Sequence, residues 1–143
     1  MTFLGGVRDL TGYFKDVDIL VIATLGGGLQ LLNPQTGQFT TYTTHNSPLV
    51  SNFLSSIAFD LTGNILMGHA QEYSILDART HKIRRLIRPK SHKFLSVSSI
   101  NQIFVDSRGL LWNAGSSGLS VYDSQSDSLM TIPLFADRKA GTA

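Results

Sequence analysis

Ser56-Ile57-Ala58-Phe59-Asp60-Leu61-Thr62-Gly63-Asn64-Ile65-Leu66 and Gln102-Ile103-Phe104-Val105-Asp106-Ser107-Arg108-Gly109-Leu110-Leu111-Trp112 are the two stretches on which the fold turns. Laid over one another, they match at Ile57 and Ile103, Asp60 and Asp106, Gly63 and Gly109, and in the apolar pair Leu66 and Trp112, all at an offset of 46 residues. The same offset carries Asp77 onto Asp123. Self-similarity at a fixed period marks a repeat architecture and outranks any local pattern.

A third copy precedes these two. Leu20-Val21-Ile22-Ala23-Thr24 aligns with Ile65-Leu66-Met67-Gly68-His69 and with Leu111-Trp112-Asn113-Ala114-Gly115, and Gly28-Leu29-Gln30-Leu31-Leu32-Asn33 aligns with Gly118-Leu119-Ser120-Val121-Tyr122-Asp123. Asn33 and Asp77 are 44 residues apart, so short insertions and deletions separate the copies. The leading strand of the first copy is degenerate: Gly12 to Asp18 stands where the others have an apolar run ending in Asp-x-x-Gly.

A period of 44 to 46 residues is too long for leucine-rich or ankyrin units and suits a β-propeller blade. The fold class predicted is all-β: three four-stranded antiparallel blades making a partial propeller, one domain over residues 1–143 with blades at about 10–44, 53–90 and 98–134. In the middle copy, Ser56 to Asp60 alternates as a first strand, and Asp60-Leu61-Thr62-Gly63 is a turn with Asp at its start and Gly at its positive-φ end. Ile65 to Gly68, Tyr73 to Leu76 and Lys82 to Ile87 follow as strands, the last two joined by a hairpin over Asp77 to His81. In the first copy Asn33-Pro34-Gln35-Thr36-Gly37 plays that part before a strand at Gln38 to Tyr42. Thr43 to Asn52, with Pro48, and Pro89 to Ser99 read as connectors, and Ala136 to Ala143 as a polar tail.

Composition agrees. A 42% hydrophobic content with only 15% charged residues suits a chain that buries a core, and a net charge of +2 dictates no partner. The absence of cysteine excludes disulfides, iron–sulfur clusters and thiolate metal sites. Ile19 to Leu29 is apolar, but Asp16 and Asp18 precede it where a targeting leader carries cations, and eleven residues do not span a bilayer. It reads as a buried strand entering a glycine turn, so neither a signal peptide nor a membrane segment is expected within the chain.

Asp106-Ser107-Arg108-Gly109-Leu110-Leu111-Trp112, Gly26-Gly27-Gly28-Leu29-Gln30-Leu31-Leu32-Asn33-Pro34-Gln35-Thr36-Gly37 and Gly118-Leu119-Ser120-Val121-Tyr122-Asp123 together resemble the two-component-regulator propeller repeat, over roughly Asp18 to Pro133. That repeat reads as an apolar strand, Asp-x-x-Gly-x-Leu-Trp-Ile-Gly-Thr, a glycine pair, and an apolar strand ending in Asp-Pro-x-Thr-Gly. Two departures stand out: tryptophan occurs only at Trp112, with Val21 and Leu66 elsewhere, and Gln71 and Glu72 replace the glycine pair. The resemblance implies a periplasmic or extracytoplasmic sensor of a bacterial hybrid histidine kinase, responding to saccharide fragments. There the repeats stand beside a second propeller, an immunoglobulin-like domain, a membrane helix and a kinase. No kinase motif lies in this chain, so no catalytic activity of its own is expected. The alternative is a structural or protein-interaction scaffold without a small ligand.

Candidate chemistry is sparse. His45, His69, His81 and His92 match no zinc spacing, and Asp123 and Asp127 lack the glycine and glutamate of a calcium loop. Gly26-Gly27-Gly28 follows a strand, but no Gly-Lys-Ser/Thr follows it, so it is a turn. No nucleophile elbow is present. No cofactor and no metal are therefore expected. Propeller ligands approach loops rather than packed strands, which points to His69, Gln71, Glu72, Asn113 and Ser116 as ligand-binding positions.

Seven of the twelve cations fall between Arg79 and Lys93 with no acid among them: Arg79, Lys82, Arg84, Arg85, Arg88, Lys90 and Lys93. They form either an anion-binding patch or a charged edge strand that deters pairing; the second reading is favoured, and only Phe94 interleaves as an aromatic, which argues against nucleic acid. Since a propeller closes with four to eight blades, three blades are expected either to continue in a longer chain or to pair as a homodimer closing a six-bladed ring.

Overall fold

Each of the three copies folds as an antiparallel meander of four strands. The computed structural model describes residues 7–14, 17–70, 72–85, 100–116, 118–123, 125, 126 and 128–133, and no helix occurs among them. Sheet 1 consists of β1 (Val7–Phe14), β2 (Val17–Thr24), β3 (Leu29–Leu32) and β4 (Phe39–Tyr42). Sheet 2 consists of β5 (Ser56–Phe59), β6 (Ile65–Gly68), β7 (Tyr73–Leu76) and β8 (Ile83–Arg85). Sheet 3 consists of β9 (Gln102–Val105), β10 (Leu111–Gly115), β11 (Gly118–Asp123) and β12 (Ser128–Pro133). Within every sheet the strands lie side by side in chain order.

Side-chain alternation stacks the sheets in series. On sheet 2, Ile57, Ile65, Met67, Leu76 and Ile83 join Val21, Ala23, Leu29 and Leu31 of sheet 1 in one apolar cluster. The opposite face of sheet 2 sends Leu66, Tyr73 and Ile75 into a second cluster with Ile103, Leu111 and Tyr122 of sheet 3. The middle sheet is thus covered on both faces, which is why all four residues of β6 and of β7 are buried. Each fully buried Leu or Ile contributes about 1.5–3 kcal/mol of transfer free energy.

Two backbone contacts fasten each junction, and they repeat at the sequence period. Leu54 N–H donates to Thr24 O of sheet 1 (2.9 Å) and the next amide, Ser55 N–H, to Gly68 O of sheet 2 (2.8 Å), so the segment entering β5 joins the two sheets. Forty-six residues on, Ile100 N–H donates to Ala70 O beside sheet 2 and Asn101 N–H to Ala114 O of sheet 3, both at 3.1 Å, so the segment entering β9 joins sheets 2 and 3 in the same way.

The repeated acids close turns. Asp60 Oδ1 accepts Thr62 and Asn64 N–H at 2.9 Å, and Asp106 Oδ1 accepts Arg108 N–H at 2.9 Å and Leu110 N–H at 3.1 Å. Asn33, Asp77 and Asp123 do the same at the other hairpins. Gly63 and Gly109 take φ of 86° and 83°, as the Asp-x-x-Gly pattern predicts.

β6 and β7 fall on their predicted bounds, β4 begins one residue late, and β8 begins at Ile83, one residue into the span predicted at Lys82 to Ile87, of which Leu86 and Ile87 lie outside the described residues. The first copy differs. Its leading strand is Val7–Phe14, and Gly12 to Asp18 covers the end of that strand and the start of the next. Pairing of β1 with β2 slips between Val7 and Asp9 and between Thr11 and Tyr13, so irregular register hides the strand from a period-2 reading. The connector expected at Pro89 to Ser99 and the tail expected at Ala136 to Ala143 lie outside the described residues.

Candidate functional site at the β2–β3, β6–β7 and β10–β11 turns

Three short turns gather where the junctions are fastened. His69 N–H donates to Glu72 O (2.8 Å) across the β6–β7 turn, while Ile100 and Asn101 reach from Ala70 on one turn strand to Ala114 on the other. The β2–β3 turn joins the same system, because Gly26 N–H and Gly28 N–H both donate to Asn52 O at 3.0 Å. Of the ligand-binding positions predicted, His69, Glu72 and Ser116 therefore lie at neighbouring turns, whereas Asn113 lies within β10 on the packed face of sheet 3; Gln71 lies outside the described residues.

His69 is 2% exposed and its ring is held from both sides. Phe53 O is 2.9 Å from Nδ1 and Ser74 Oγ is 2.9 Å from Nε2. A carbonyl only accepts, so Nδ1 carries the proton and Nε2 accepts the Ser74 hydroxyl. Ser74 Oγ also accepts Val50 N–H at 3.2 Å. Burial lowers the His69 pKa below the ordinary histidine value, against smaller upward pulls from the Phe53 carbonyl and the Glu72 charge. A histidine–serine contact of this length is that of a base and its nucleophile. Here Ser74 is fully buried with its oxygen engaged twice, and the pair clamps Val50 to Phe53 onto sheet 2.

Asn113 differs in kind. It is 2% exposed, on the sheet 3 face that meets sheet 2, with Ile103 and Ser120 opposite it. Its Nδ2 and Oδ1 have no hydrogen-bond partner among the described residues. The same position holds Ile22 in sheet 1 and Met67 in sheet 2. A buried carboxamide without partners costs about 1–3 kcal/mol relative to a satisfied one. Ser116 is exposed on the β10–β11 turn, and Glu72 forms an ion pair with Arg85 Nε at 3.1 Å.

Phe53 is a residue at this end that the repeat pattern did not single out. It pairs with Leu25 in an isolated antiparallel bridge, and the two side chains are 62% and 42% exposed. Its signal in the sequence was a large aromatic directly after the connector Thr43 to Asn52.

The basic residues spread out. β8 is the edge strand of sheet 2, with Ile83 turned inward and Arg84 and Arg85 exposed. Alternation sends these two arginines to opposite faces. Arg79 and Lys82 are exposed on the preceding hairpin, and Arg88 lies outside the described residues. Between sheets 2 and 3, at the end away from Asn113, a cavity of about 140 Å³ is lined by Leu66, Ile75, Val105, Leu111 and Tyr122, with Asp60 and Arg84 at its mouth. No group of three His, Asp or Glu side chains converges among the described residues, and none of their elements is a helix long and apolar enough to cross a membrane.

No protein-family model matches the sequence, and no curated protein does. Solved structures do. The extracellular domain described as that of the hybrid two component system BT3049 from B. thetaiotaomicron superimposes with a TM-score of 0.70 at 24% identity over 92% of this chain. The extracellular domain described as that of the hybrid two component system BT4673 from the same organism gives 0.64 at 23% identity over 81%. A streptogramin B lyase gives 0.66 at 19% identity over 90%. At these identities the likeness is one of fold. The chain spans 17% of each of the two extracellular domains and 40% of the lyase.

Proposed function

We propose that this chain is a ligand-sensing β-propeller segment of an extracytoplasmic bacterial two-component sensor, non-catalytic in itself, and that it binds a saccharide at the turn end described above. The three sheets are then three blades of a partial propeller, one domain over residues 1–143. The observation that carries the reading is the likeness to the BT3049 extracellular domain over 92% of the chain, with the propeller repeat legible in the same residues. Asn113 supports the location, because its buried amide offers one donor pair and one acceptor to a hydroxylated ligand. Phe53 supplies an exposed aromatic face at the same end.

Thermal unfolding against a panel of oligosaccharides tests it. A ligand bound only by the folded chain stabilises it by about 2.7 kcal/mol at 100 times Kd, several degrees in Tm. Asn113→Met, which installs the sheet 2 residue, should raise the basal stability by roughly 1–3 kcal/mol and abolish the saccharide shift. If no saccharide moves Tm, the reading falls. The second reading, a protein-interaction scaffold, then gains from one observation: the apolar outer face of sheet 3, where Phe104 is 61% exposed and Met130 57% exposed.

A further inference from the structure

The two inter-sheet junctions use the same positions. Toward the following sheet, sheet 1 presents the cross-strand pair Val21 and Leu31, and sheet 2 presents Leu66 and Ile75. Toward the preceding sheet, sheet 2 presents Ile65 and Leu76, and sheet 3 presents Leu111 and Tyr122. Each pair type also occurs once with no sheet against it among the described residues. Sheet 3 carries Trp112 and Val121 on its outer face, where sheets 1 and 2 use that face to hold a neighbour. Sheet 1 carries Leu20 and Leu32 on its outer face, where sheets 2 and 3 are held.

Exposure follows. Phe104, Met130 and Ile132 on the sheet 3 face are 61%, 57% and 39% exposed. On the sheet 1 face Leu20 is 37% exposed where its counterpart Ile65 is 0%, and Phe39 is 36% exposed where Ile83 is 5%. Among the described side chains the sheet 1 face carries no charge, and the sheet 3 face carries only Asp123 at the hairpin end of β11, where Ser126 Oγ donates to it. A largely apolar face of this kind marks a contact surface.

We propose that the outer faces of sheets 1 and 3 are the two halves of one interface, and that a second copy of this chain fills them head to tail, closing a ring of six sheets. The occupant is set by the chemistry already present in the molecule: the partner of a Trp112–Val121 face is a Leu20–Leu32 face, and every copy carries both. Two identical contacts related by a two-fold axis leave neither face uncovered, and six sheets lie within the four to eight that a propeller closes with. This rests on the propeller reading above.

Light scattering on the whole chain and on Phe104→Glu and Leu20→Glu decides it; both side chains are exposed in the single chain, so the variants keep the fold. The proposal expects twice the 15.6 kDa chain mass for the wild type and a halving of that mass for each variant. A monomeric wild type overturns it and assigns the faces to further repeats of a longer chain. A dimer that survives Leu20→Glu overturns it in favour of pairing through sheet 3 alone. Mass that climbs past two chains with concentration overturns the closed ring. Failure here is separable from failure of the sensing reading: a monomer whose Tm rises with a saccharide sinks only the ring, and a dimer that answers to no saccharide sinks only the ligand.

Discussion

Asp60 and Asp106 sit at equivalent turns but are supported differently. Asp106 Oδ2 accepts Trp112 Nε1–H at 3.0 Å, and that bond, with help from Arg108 and Leu110, holds its carboxyl well below the usual carboxylate range. In the middle copy Leu66 has no such donor, and Asn64 Nδ2 reaches Asp60 Oδ2 at 3.0 Å instead. The loss of the repeat's tryptophan is thus offset two residues away. These turn residues were legible in the sequence because their partners lie within six positions. His69 was not, since the groups that hold it, Phe53 and Ser74, are brought to it only by the β5–β6–β7 meander and its connector. Its lowered pKa has a consequence. An unfolded histidine titrates near 6.5, so below that pH the unfolded chain takes up the proton first, and folding stability falls as pH drops from about 6.5 toward the folded pKa. Thermal unfolding should show a lower Tm at pH 5 than at pH 7.5, a range above the titration of ordinary carboxylates. His69→Thr, the sheet 1 residue, should flatten that slope; an unchanged slope would remove His69 as its source. His81 offers a second test. It adopts φ of 60° where the first copy has Gly37 at 74°, and a side chain in the left-handed region costs about 1–2 kcal/mol. His81→Gly should raise stability by the order of 1 kcal/mol in chemical denaturation.

The strands most faithfully foretold, β6 and β7, are those covered on both faces, where continuous apolar sequence and bounding turns agree. β1 escaped for the opposite reason: its pairing slips twice, and its Asp9-Leu10-Thr11-Gly12, the same residues as Asp60 to Gly63, lies inside the strand instead of forming the turn that follows the other leading strands. The β2–β3 turn was read correctly as a turn, while the reason for its glycine lies in packing. A Cβ on Gly28, at φ of 76°, would stand 2.1 Å from the backbone oxygen of Tyr42 in β4. Neither backbone strain nor the clash can be relieved by a rotamer change, so Gly28→Ala should cost roughly 2 kcal/mol or more in urea unfolding. A loss under about 0.5 kcal/mol, the range of an ordinary surface change, would mean that β3 and β4 are not registered as described. β8 was foreseen as a charged edge. Its position at the end of sheet 2, with only Ile83 turned inward, is that of a strand whose cations keep other chains away.

At the scale of the molecule, the period of 46 residues announced that three similar units exist, and the two fastened junctions show how they join. Which faces would remain uncovered was not legible, because alternation in Gln102 to Val105 and Ser128 to Pro133 gives two faces without saying which one meets a neighbour. The repeat pattern put His69 and Asn113 toward one end of the sheets, and only burial and bonding separate a satisfied clamp from an amide without partners among the described residues. In a series of sheets each unit is stabilised by its neighbours, so the junctions carry the stability of the whole. Amide hydrogen exchange at Leu54, Ser55, Ile100 and Asn101 tests that most directly. These four should exchange as slowly as the amides of β6 and β7, although they lie outside the strands. Exchange as fast as that of the exposed hairpin amides of Gln35 or Arg79 would contradict serial packing and the repeat-based fold with it.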